Sequence, residues 1–374
     1  MNPLKIVLLA TINSIHTIRW ANALAKRGHD IHLVTQHRKF AEISSLVTIH
    51  LLPFTGNVGY FLNLPFLKNI LKKLKPDLLH AHYASGYGTL GRLSSFHPYI
   101  LSVWGSDVYD FPYQSKVNMW LLKKNLEAAD CIASTSNVMA YHTRKLSQKL
   151  RPIIVTPFGI DTKIFKPKFS PTKEDNITIG TVKTLSSKYG IDILLKGFAK
   201  VYKKFKHNNM KIPELRLLIV GDGKDGNRLK KLSKALGIAN VTNFVGAVPH
   251  SNVPQYLNKL DIYVATSRLD SESFGVAILE ASACGLPVIV SNAGGLPEVV
   301  ENGVTGIVIP KENYHALANA LEELIFNKEL RDKMGKAGRK RVEQHYSWKE
   351  SVVIMEQLYV NLLHKRKEGL KCKL

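Results

Sequence analysis

The fold of this chain follows from one stretch in its second half, Ile262-Tyr-Val-Ala-Thr-Ser-Arg-Leu-Asp-Ser-Glu-Ser-Phe-Gly-Val-Ala-Ile-Leu-Glu-Ala-Ser-Ala-Cys-Gly-Leu-Pro-Val-Ile-Val-Ser-Asn-Ala-Gly-Gly-Leu-Pro-Glu298. The run Ile262–Thr266 is rich in apolar and β-forming residues, which predicts a buried strand. Phe274–Cys284 predicts a helix that a glycine and a proline close, and Val288–Val290 predicts a second strand. Strand, helix and strand joined by short loops form a βαβ unit. The loop that carries Glu272 therefore lies at the carboxyl end of a parallel strand, where open α/β sheets bind ligands.

The start of the predicted helix offers groups that suit an anionic ligand with hydroxyls. The first-turn N–H groups near Phe274, Gly275 and Val276 have no partner within the helix and favour phosphate or other polar oxygens. Glu272 precedes this turn and can accept hydrogen bonds from hydroxyls. Glu280 follows two turns later between apolar residues, so its carboxylate should face a partner such as the two hydroxyls of a ribose. Two isolated glutamates would more often be a loop charge and a solvated helix residue, but the surrounding glycines favour a ligand site.

This stretch resembles the retaining family 4 glycosyltransferases of the GT-B fold. The likeness rests on a Glu-x7-Glu motif at Glu272 and Glu280, a Cys-Gly-x-Pro-Val strand that begins at Cys284, and a Gly-Gly-x-x-Glu turn that begins at Gly294. It extends along most of the chain. The resemblance implies an α/β protein of two Rossmann-like, doubly wound domains that face each other across a cleft. It also implies that Glu280 holds the ribose of the nucleotide and that Glu272, with the amides from Ser273 onward, contacts the transferred sugar.

The composition is typical of a globular protein with two domains. The chain has 374 residues, of which 45% are hydrophobic and 22% are charged. Its three cysteines lack metal-ligand spacing, which favours reduced thiols in a cytoplasmic setting. The run Lys5–Thr11 is too short for the apolar region of a signal peptide and predicts a first buried strand. No apolar run approaches the roughly 20 residues that span a bilayer.

The net charge is the unusual property of the composition. It is +23 for the whole chain, of which residues 1–170 contribute +13 and the remainder +10. Such a field favours anionic membranes, phosphorylated ligands or nucleic acid. No helix-turn-helix, zinc finger or aromatic RNA-binding signature accompanies the charge, so we expect an anionic membrane surface and no nucleic acid as a partner.

One segment of the first half combines leucines with lysines. Its apolar stripe consists of Leu64, Leu67, Leu71 and Leu74, and its basic residues are Lys68, Lys72, Lys73 and Lys75. An amphipathic helix of this composition could lie on an anionic membrane. It could equally turn its leucines towards the protein core and expose its lysines to water.

Strands and helices alternate in two blocks, which predicts two doubly wound domains. The predicted strands of the first block are Lys5–Ala10, Ile31–Thr35, Leu78–His80, Ile100–Val103 and Cys131–Ser134. Those of the second block are Ile177–Thr181, Leu215–Val220, Val241–Phe244, Ile262–Thr266, Val288–Val290 and Gly306–Ile309. The stretch Lys166–Asp175, with two prolines and mixed charge, is the expected linker. We therefore expect an acceptor-binding domain at 1–167 and a nucleotide-sugar-binding domain at 175–347. In the family, the helix within 348–374 returns to the first domain.

Two other strand ends in the second half supply candidate groups. Lys183 and Lys188 follow a predicted strand, and the resemblance places there an Arg and a Lys that stabilise the departing diphosphate. Lys183 replaces the Arg, and Tyr189 is inserted before the usual glycine. Two ammonium groups can offset the charge that develops on a departing nucleotide diphosphate. Gly221 lies in a Gly-Asp-Gly turn that resembles the family's turn near the nucleotide, although such turns are common.

The first domain offers three polar or aromatic candidates for contact with the acceptor or the sugar. His16 follows the first strand where a family His falls, although its loop lacks the family's glycine pair. Trp104 replaces a family His that contacts the donor sugar, and its ring could stack on a sugar face. Asp107 is the remaining polar candidate there, with a helix N-cap as its alternative role.

We expect no metal site and no cofactor besides the nucleotide-sugar co-substrate. Asp270-x-Glu272 superficially resembles a metal-binding Asp-x-Asp, but it overlaps the glutamate motif. His80 and His82 alternate along a strand, and we expect their side chains to point to opposite faces and to share no metal.

The sequence therefore predicts a retaining, metal-independent glycosyltransferase that uses a nucleotide diphosphate sugar, a UDP-sugar above all. Its acceptor would be a glycan or a polyprenyl-linked lipid in the assembly of a bacterial surface polysaccharide such as the lipopolysaccharide O-antigen or a capsule. The site would lie in the cytoplasm, at the inner face of the cell membrane. The alternatives are an epimerase of nucleotide sugars with the same fold, and a non-catalytic basic protein that binds polyanions or membranes. A glycosyl phosphorylase would need a pyridoxal lysine site and inserted loops, for which the chain is short.

Overall fold

The chain folds into two compact units, each built on one parallel sheet. The computed structural model describes residues 2–38, 43–168, 176–207 and 213–367. The first unit comprises Met1–Phe158 and Glu350–Leu374, and the second comprises Gly159–Lys349. Two α/β units with parallel sheets confirm the fold class that the alternation of strands and helices predicts.

The first unit contains a seven-stranded sheet within its described residues. Its strands are β1 (Lys5–Leu9), β2 (Asp30–Thr35), β3 (Val47–Leu51), β4 (Leu78–His82), β5 (Tyr99–Val103), β6 (Cys131–Ser134) and β7 (Ile153–Val155). They lie in the order β3-β2-β1-β4-β5-β6-β7, and every neighbouring pair is parallel. The direction in which successive strands are added to the sheet reverses at β1. The loops after β1 and β4 therefore lie at the position where open parallel sheets bind ligands.

Eight helices accompany this sheet within the described residues. They are α1 (Ile15–Lys26), α2 (Gly56–Leu62), α3 (Leu64–Leu74), α4 (Gly86–Ser94), α5 (Ser106–Tyr109), α6 (Lys116–Ala128), α7 (Asn137–Leu146) and α15 (Trp348–Lys367). One hydrophobic cluster joins the apolar side chains of β1, β4 and β5 to those of α3, α4 and α6. The leucine stripe of α3 belongs to it, because Leu67 is fully buried and Leu71 is 5% exposed. Of the two interpretations of this stripe, the core-facing one is correct.

Two strands of the first unit, β3 and β7, are not among those predicted from the sequence. Both are edge strands. Strand β3, Val47-Thr-Ile-His-Leu51, is exposed along most of its length. None of the three residues of β7, Ile153–Val155, is buried. β3 alternates apolar and polar residues at the sheet edge, so it lacks the continuous apolar run that identifies the central strands. β7 is an apolar run of only three residues, Ile-Ile-Val, which is too short to predict a strand.

The second unit contains a six-stranded parallel sheet within its described residues. Its strands are β8 (Asn176–Val182), β9 (Glu214–Val220), β10 (Thr242–Gly246), β11 (Ile262–Ala265), β12 (Val288–Ser291) and β13 (Gly306–Ile309), in the order β10-β9-β8-β11-β12-β13. Its helices are α8 (Ile191–His207), α9 (Gly226–Ala235), α10 (Val253–Leu257), α11 (Val276–Ala283), α12 (Leu296–Val299), α13 (Tyr314–Phe326) and α14 (Lys328–His345). The predicted βαβ unit is β11-α11-β12.

The second unit begins before the linker that the sequence favours. Gly159–Lys168 already packs on it: Ile160 N donates to Tyr346 O at 2.7 Å, and Asn258 Nδ2 donates to Lys166 O at 3.1 Å. The division between the units therefore falls after Phe158 and not in Lys166–Asp175, whose last seven residues lie outside the described part of the chain. Pro167, the described proline of this stretch, lies in an anchored segment of the second unit.

The C-terminal helix α15 is fixed to the first unit by buried polar contacts. Glu356, which is 2% exposed, accepts hydrogen bonds from Arg27 Nε at 2.5 Å and from His29 Nε2 at 3.1 Å. Tyr359 Oη lies 2.8 Å from His80 Nδ1. These contacts join the end of α1 and the middle of β4 to a helix that is more than 250 residues away along the chain.

Candidate functional site

The candidate groups of the second unit meet at the carboxyl edge of its sheet. Lys183 directly follows β8, Gly221 directly follows β9, and Glu272 lies in the loop after β11. Because these strands are parallel, their carboxyl ends share one edge, as the sequence analysis expects. Lys183 Nζ lies 2.9 Å from Glu272 Oε1, and Lys188 Nζ donates to Ser271 O at 3.0 Å. Both lysines therefore contact the loop of the glutamate motif.

Lys183 and Glu272 form an ion pair that is largely shielded from water. The two side chains are 17% and 10% exposed. Burial by itself lowers the pKa of the Lys183 ammonium, but the charge of Glu272, its hydrogen bond and the neighbouring Tyr263 and Tyr189 together outweigh burial, and the pKa lies above its ordinary value. The same burial raises the pKa of the neighbouring Tyr263 to about 12 despite the opposing charge of Lys183. Lys183 is therefore a fixed positive charge at this edge of the sheet.

Tyr189, the residue inserted before the usual glycine, lies beside both lysines. Its ring centroid is 4.6 Å from Lys183 Nζ and 5.6 Å from Lys188 Nζ. The face of an aromatic ring attracts a cation at such distances. The insertion thus supplies a partner for the two ammonium groups.

A two-bond ion pair, Arg268–Asp192, holds the same loop to the start of α8. Arg268 donates to both oxygens of Asp192, from Nη1 at 2.9 Å and from Nη2 at 2.6 Å. Burial raises the pKa of the Asp192 carboxyl, but the hydrogen bonds and charge of Arg268 outweigh this, so the pKa is lowered. Arg268 N also donates to Lys188 O at 2.8 Å. The sequence analysis missed both residues, because an Arg and an Asp 76 residues apart carry no local signal.

The first turn of α11 starts later than predicted. The helix begins at Val276, and Gly275 precedes it with φ +97°, a left-handed conformation that favours glycine. Ser273 and Phe274 are buried, and the ring of Phe274 packs edge-on against Tyr346 with centroids 5.9 Å apart. What this turn can offer a ligand is therefore its backbone and not the ring of Phe274.

Gly294 and Gly295 permit the glutamate loop to pack against the start of α12. Gly295 N donates to Glu272 O at 3.0 Å. A Cβ at Gly295 would lie 2.1 Å from Ser273 O, and one at Gly294 would lie 2.4 Å from Glu272 O. Gly221 plays a similar part, since its Cβ would lie 2.0 Å from Lys183 O. These glycines hold the backbone of the motif in place by close approach.

Glu280 faces a partner, as its apolar sequence context predicts. The residue is 6% exposed, and its Oε1 lies 2.8 Å from His250 Nε2. His250 belongs to the short turn His250–Asn252 that follows β10, and its side chain is 42% exposed. Sequence reasoning missed His250. A signal was nevertheless available, because Val-Pro-His follows a strand whose carboxyl end lies at the same edge.

His16 and Trp104 lie together in the first unit. His16 is the second residue of α1, and its ring stacks on Phe158 with centroids 4.1 Å apart. The Trp104 centroid is 5.8 Å from that of His16 and 5.6 Å from that of Phe158. The loops after β1 and β5 thus form a half-buried aromatic cluster, in which Phe158 was not foreseen.

Asp107 is fully buried and does not serve as a helix N-cap, because it lies inside α5. Its carboxylate accepts hydrogen bonds from the backbone N–H groups of Ala84, Trp104 and Gly105 at 2.8 to 3.1 Å. Burial raises the pKa of this carboxyl, and the amide hydrogen bonds oppose the rise. Asp107 joins the loops after β4 and β5 and so fixes the backbone of Trp104.

The expectation that His80 and His82 point to opposite faces of the sheet is wrong. Side chains two residues apart on a strand share a face, and the two ring centroids lie 4.6 Å apart. Trp104 lies next to them, 4.8 Å from His82. Within the described residues, no group of three or more His, Cys, Asp or Glu side chains is placed to hold a metal ion.

Two family models match the chain. The model described as glycosyl transferases group 1 matches residues 162–341, and the one described as glycosyl transferase 4-like matches residues 5–136. The capsular polysaccharide biosynthesis glycosyltransferase CapM of Staphylococcus aureus is 28% identical over 374 aligned residues, which cover 92% of this chain and 93% of that protein.

Solved structures agree along nearly the whole chain. Sucrose-phosphate synthase of Thermosynechococcus elongatus matches with a TM-score of 0.80 and 23% identity, over 96% of this chain and 99% of that one. HepE of Anabaena, solved in complex with UDP, matches with a TM-score of 0.78 and 20% identity over the same shares. These likenesses establish the fold, and the family models with CapM establish the kinship: the chain belongs to the family 4 glycosyltransferases of the GT-B fold.

Proposed function

We propose that this enzyme is a retaining glycosyltransferase that moves a sugar from a UDP-sugar to a glycan or lipid-linked acceptor in the assembly of a bacterial surface polysaccharide. The observation that carries the proposal is the convergence of Lys183, Lys188 and Glu272 at one edge of the second unit's sheet. Two cations and a carboxylate at the carboxyl ends of parallel strands suit a ligand that combines a diphosphate with sugar hydroxyls.

Each group has a role in the proposed reaction. Glu280 accepts hydrogen bonds from the ribose hydroxyls, while His250 contacts one of its two carboxylate oxygens. Lys183 and Lys188 stabilise the negative charge of the departing diphosphate. Glu272, with the amides at Ser273, Phe274, Gly275 and Val276, contacts the transferred sugar. Gly221 allows the close backbone approach beside Lys183.

The chemistry needs no protein nucleophile. The bond between the anomeric carbon and the diphosphate oxygen breaks, and the acceptor oxygen forms its bond to the same face of that carbon. The acceptor's proton passes to the departing phosphate. Product analysis by NMR should show an anomeric configuration equal to that of the donor, and an inverted configuration would refute retention.

The nature of the donor and acceptor draws on the relatives. HepE was solved with UDP, and CapM acts in capsular polysaccharide biosynthesis by name. The net charge of +23 favours binding of the protein to the anionic inner face of the cell membrane. The aromatic cluster of His16 and Trp104 can stack on the acceptor or on the sugar.

Metal independence is part of the proposal, because two lysines take the place that a divalent cation would have at the diphosphate. Transfer should persist in excess EDTA. Complete loss of transfer, restored by manganese, would refute the roles of Lys183 and Lys188.

The decisive experiment incubates the protein with a panel of nucleotide sugars and detects products by mass spectrometry. Release of UDP from one UDP-sugar, with transfer when a polyprenyl-linked glycan is added, is the expected result. An altered free nucleotide sugar without any acceptor would identify an epimerase. Retention on polyanions with no turnover of any nucleotide sugar would identify a binding protein.

A further inference from the structure

The first unit carries an apolar surface that no described residue covers. It comprises Phe54, Val58, Phe61, Leu62 and Phe66, and we call it the apolar elbow because α2 and α3 meet within it. Each of these five side chains is between 42% and 63% exposed. Val58, Phe61 and Leu62 are spaced by three and one residues within α2 and so share one side of that helix. The ring of Phe66 on α3 lies beside that of Phe54, with centroids 6.0 Å apart. Large apolar side chains gathered in this way mark an interaction surface.

The apolar elbow is held outward by tight packing beneath it. Asn63 is fully buried, and its side chain pairs both backbone groups of Phe54: Oδ1 accepts from Phe54 N at 3.1 Å, and Nδ2 donates to Phe54 O at 2.7 Å. A Cβ at Gly59 would lie 2.4 Å from Gln36 Oε1. Leu67 and Leu71 anchor the opposite face of α3 in the core. The exposed face is thus a fixed part of the surface.

Basic residues border the apolar elbow, and acidic ones are absent from this part of the sequence. Residues 43–76 contain no Asp or Glu and four lysines: Lys68, Lys72, Lys73 and Lys75. All four are exposed. On α3, Lys73 lies seven residues after Phe66 and therefore on the same side of the helix. An apolar face bordered by lysines matches an anionic bilayer, whose headgroups attract the cations while its acyl boundary accepts the rings.

The apolar elbow lies at the same edge of the first unit's sheet as the residues proposed to contact the acceptor. It begins directly after β3, at the carboxyl edge of the first unit's sheet. His16 and Trp104 follow β1 and β5 and therefore lie at the same edge. A lipid-linked acceptor held in the bilayer would present its glycan near this edge.

We propose that the apolar elbow docks this enzyme on an anionic membrane, with Phe54, Val58, Phe61, Leu62 and Phe66 in the headgroup and acyl boundary and Lys72 and Lys73 on the headgroups. The use of the surface for a lipid-linked acceptor rests on the proposed function, whereas the docking itself does not. A second copy of the chain is the other occupant that such a face could have, and the experiment separates the two.

The test uses the full chain and vesicles of phosphatidylglycerol with phosphatidylcholine, compared with phosphatidylcholine alone. Val58→Ser/Phe61→Ser should weaken vesicle binding roughly a hundredfold, because two buried apolar side chains are lost. Lys72→Glu/Lys73→Glu should weaken it at least about thirtyfold on the anionic vesicles, because two attractive charges become repulsive, and added salt should weaken the binding of the wild type. Both variants should release UDP from the donor at the wild-type rate, which shows that they fold.

Matched controls come from the second unit. Ile164→Ser/Val304→Ser removes two apolar side chains that are 55% and 44% exposed, and Lys230→Glu/Lys231→Glu reverses two adjacent exposed lysines on α9. Both controls should bind vesicles like the wild type.

Three results would overturn the proposal. The first is wild-type protein that does not sediment with the anionic vesicles. The second is equal loss of binding in the controls and the elbow variants. The third is a dimer, seen by analytical ultracentrifugation, that Val58→Ser/Phe61→Ser dissociates without a change in vesicle binding. Vesicle binding without turnover of any nucleotide sugar would refute the proposed function and leave the docking surface standing.

Discussion

Lys183 Nζ lies 2.9 Å from Glu272 Oε1, and this ion pair joins the end of β8 to the loop that follows β11. The two residues are 89 positions apart, and each was assigned a separate ligand from the sequence. In the structure each is the other's partner. In the proposed reaction, a diphosphate that took Lys183 as its counter-ion would free the Glu272 carboxylate for sugar hydroxyls, so that the two halves of the donor would engage the pair together.

The first prediction concerns the stability that the Lys183–Glu272 pair contributes. Lys183→Met leaves a carboxylate that is only 10% exposed without its cation, and we expect a loss of about 2–4 kcal/mol in the free energy of unfolding. Lys183→Met/Glu272→Leu should cost less than the sum of the single changes, with a coupling of about 1–3 kcal/mol. Urea unfolding of the four proteins measures this coupling.

The exposed pair Lys204–Glu322 is the control for that cycle. Its side chains are 49% and 30% exposed, so water screens the attraction, and its coupling should stay below about 1 kcal/mol. Additive costs at Lys183 and Glu272 would show that their contact contributes nothing specific.

The second prediction concerns nucleotide binding by Glu280. Glu280→Ala removes a buried acceptor from the ribose hydroxyls, and a hydrogen bond to a charged group contributes about 1.5–3 kcal/mol, so UDP should bind roughly ten- to hundredfold more weakly. His250→Ala removes only the group that occupies the carboxylate at 2.8 Å and should change the affinity much less. Isothermal titration with UDP compares them. Equal losses would mean that the His250–Glu280 pair, and not the carboxylate alone, binds the nucleotide.

The third prediction tests the close backbone approach at Gly294. Gly294 has φ +48°, and a Cβ there would lie 2.4 Å from Glu272 O and 2.5 Å from Asp270 O. Gly294→Ala must displace the glutamate loop, and a shift of about 1 Å in a catalytic group can reduce turnover roughly a hundredfold. Gly303→Ala is the matched control, since Gly303 has φ +78° with no atom within 4 Å of the added Cβ. It should cost about 1–2 kcal/mol of stability with turnover retained. Equal turnover in the two variants would contradict the argument.

Sequence periodicity was sufficient to predict the elements whose signal lies within a short stretch of the chain. The βαβ unit around Glu272, all six strands of the second unit and the central strands of the first follow from apolar runs and glycine turns. The edge strands β3 and β7 did not, because β3 interrupts its apolar residues with polar ones and β7 is an apolar run of only three residues. The boundary between the units was placed too late, since hydrogen bonds from distant residues, such as Asn258 to Lys166, hold an apparently loose segment.

The sequence placed the candidate residues at one edge of a sheet but did not reveal the partners of their side chains, and their roles in binding and catalysis stay predictions. The motif placed Lys183, Lys188, Glu272 and Glu280 at one edge of a sheet, where the structure has them. The partners that fix them, His250 for Glu280 and Arg268 with Asp192 for the loop, lie 30 and 76 residues away from their contacts. Such pairs form only after the strands are ordered in the sheet. The orientation of His80 and His82 was an error of strand geometry, which the period of two residues corrects.

The fourth prediction concerns acid sensitivity caused by His82. Burial, together with the neighbouring His16, lowers the pKa of His82 from about 6.5 to about 3, and its Nδ1 has no hydrogen-bond partner among the described residues. Between these values the unfolded chain binds a proton that the folded chain does not, so the free energy of unfolding falls as the pH decreases from 6.5 towards 3. One such group contributes up to about 1.4 kcal/mol per pH unit.

His82→Phe keeps an aromatic ring beside Trp104 and removes this proton site. The free energy of unfolding at neutral pH should therefore change little, while its slope against pH should become smaller by nearly one proton. His80, whose pKa burial lowers as well, remains in the variant and should leave a residual slope. Urea unfolding at a series of pH values measures both slopes, and an unchanged slope in His82→Phe would show that the imidazole is protonated in the folded protein.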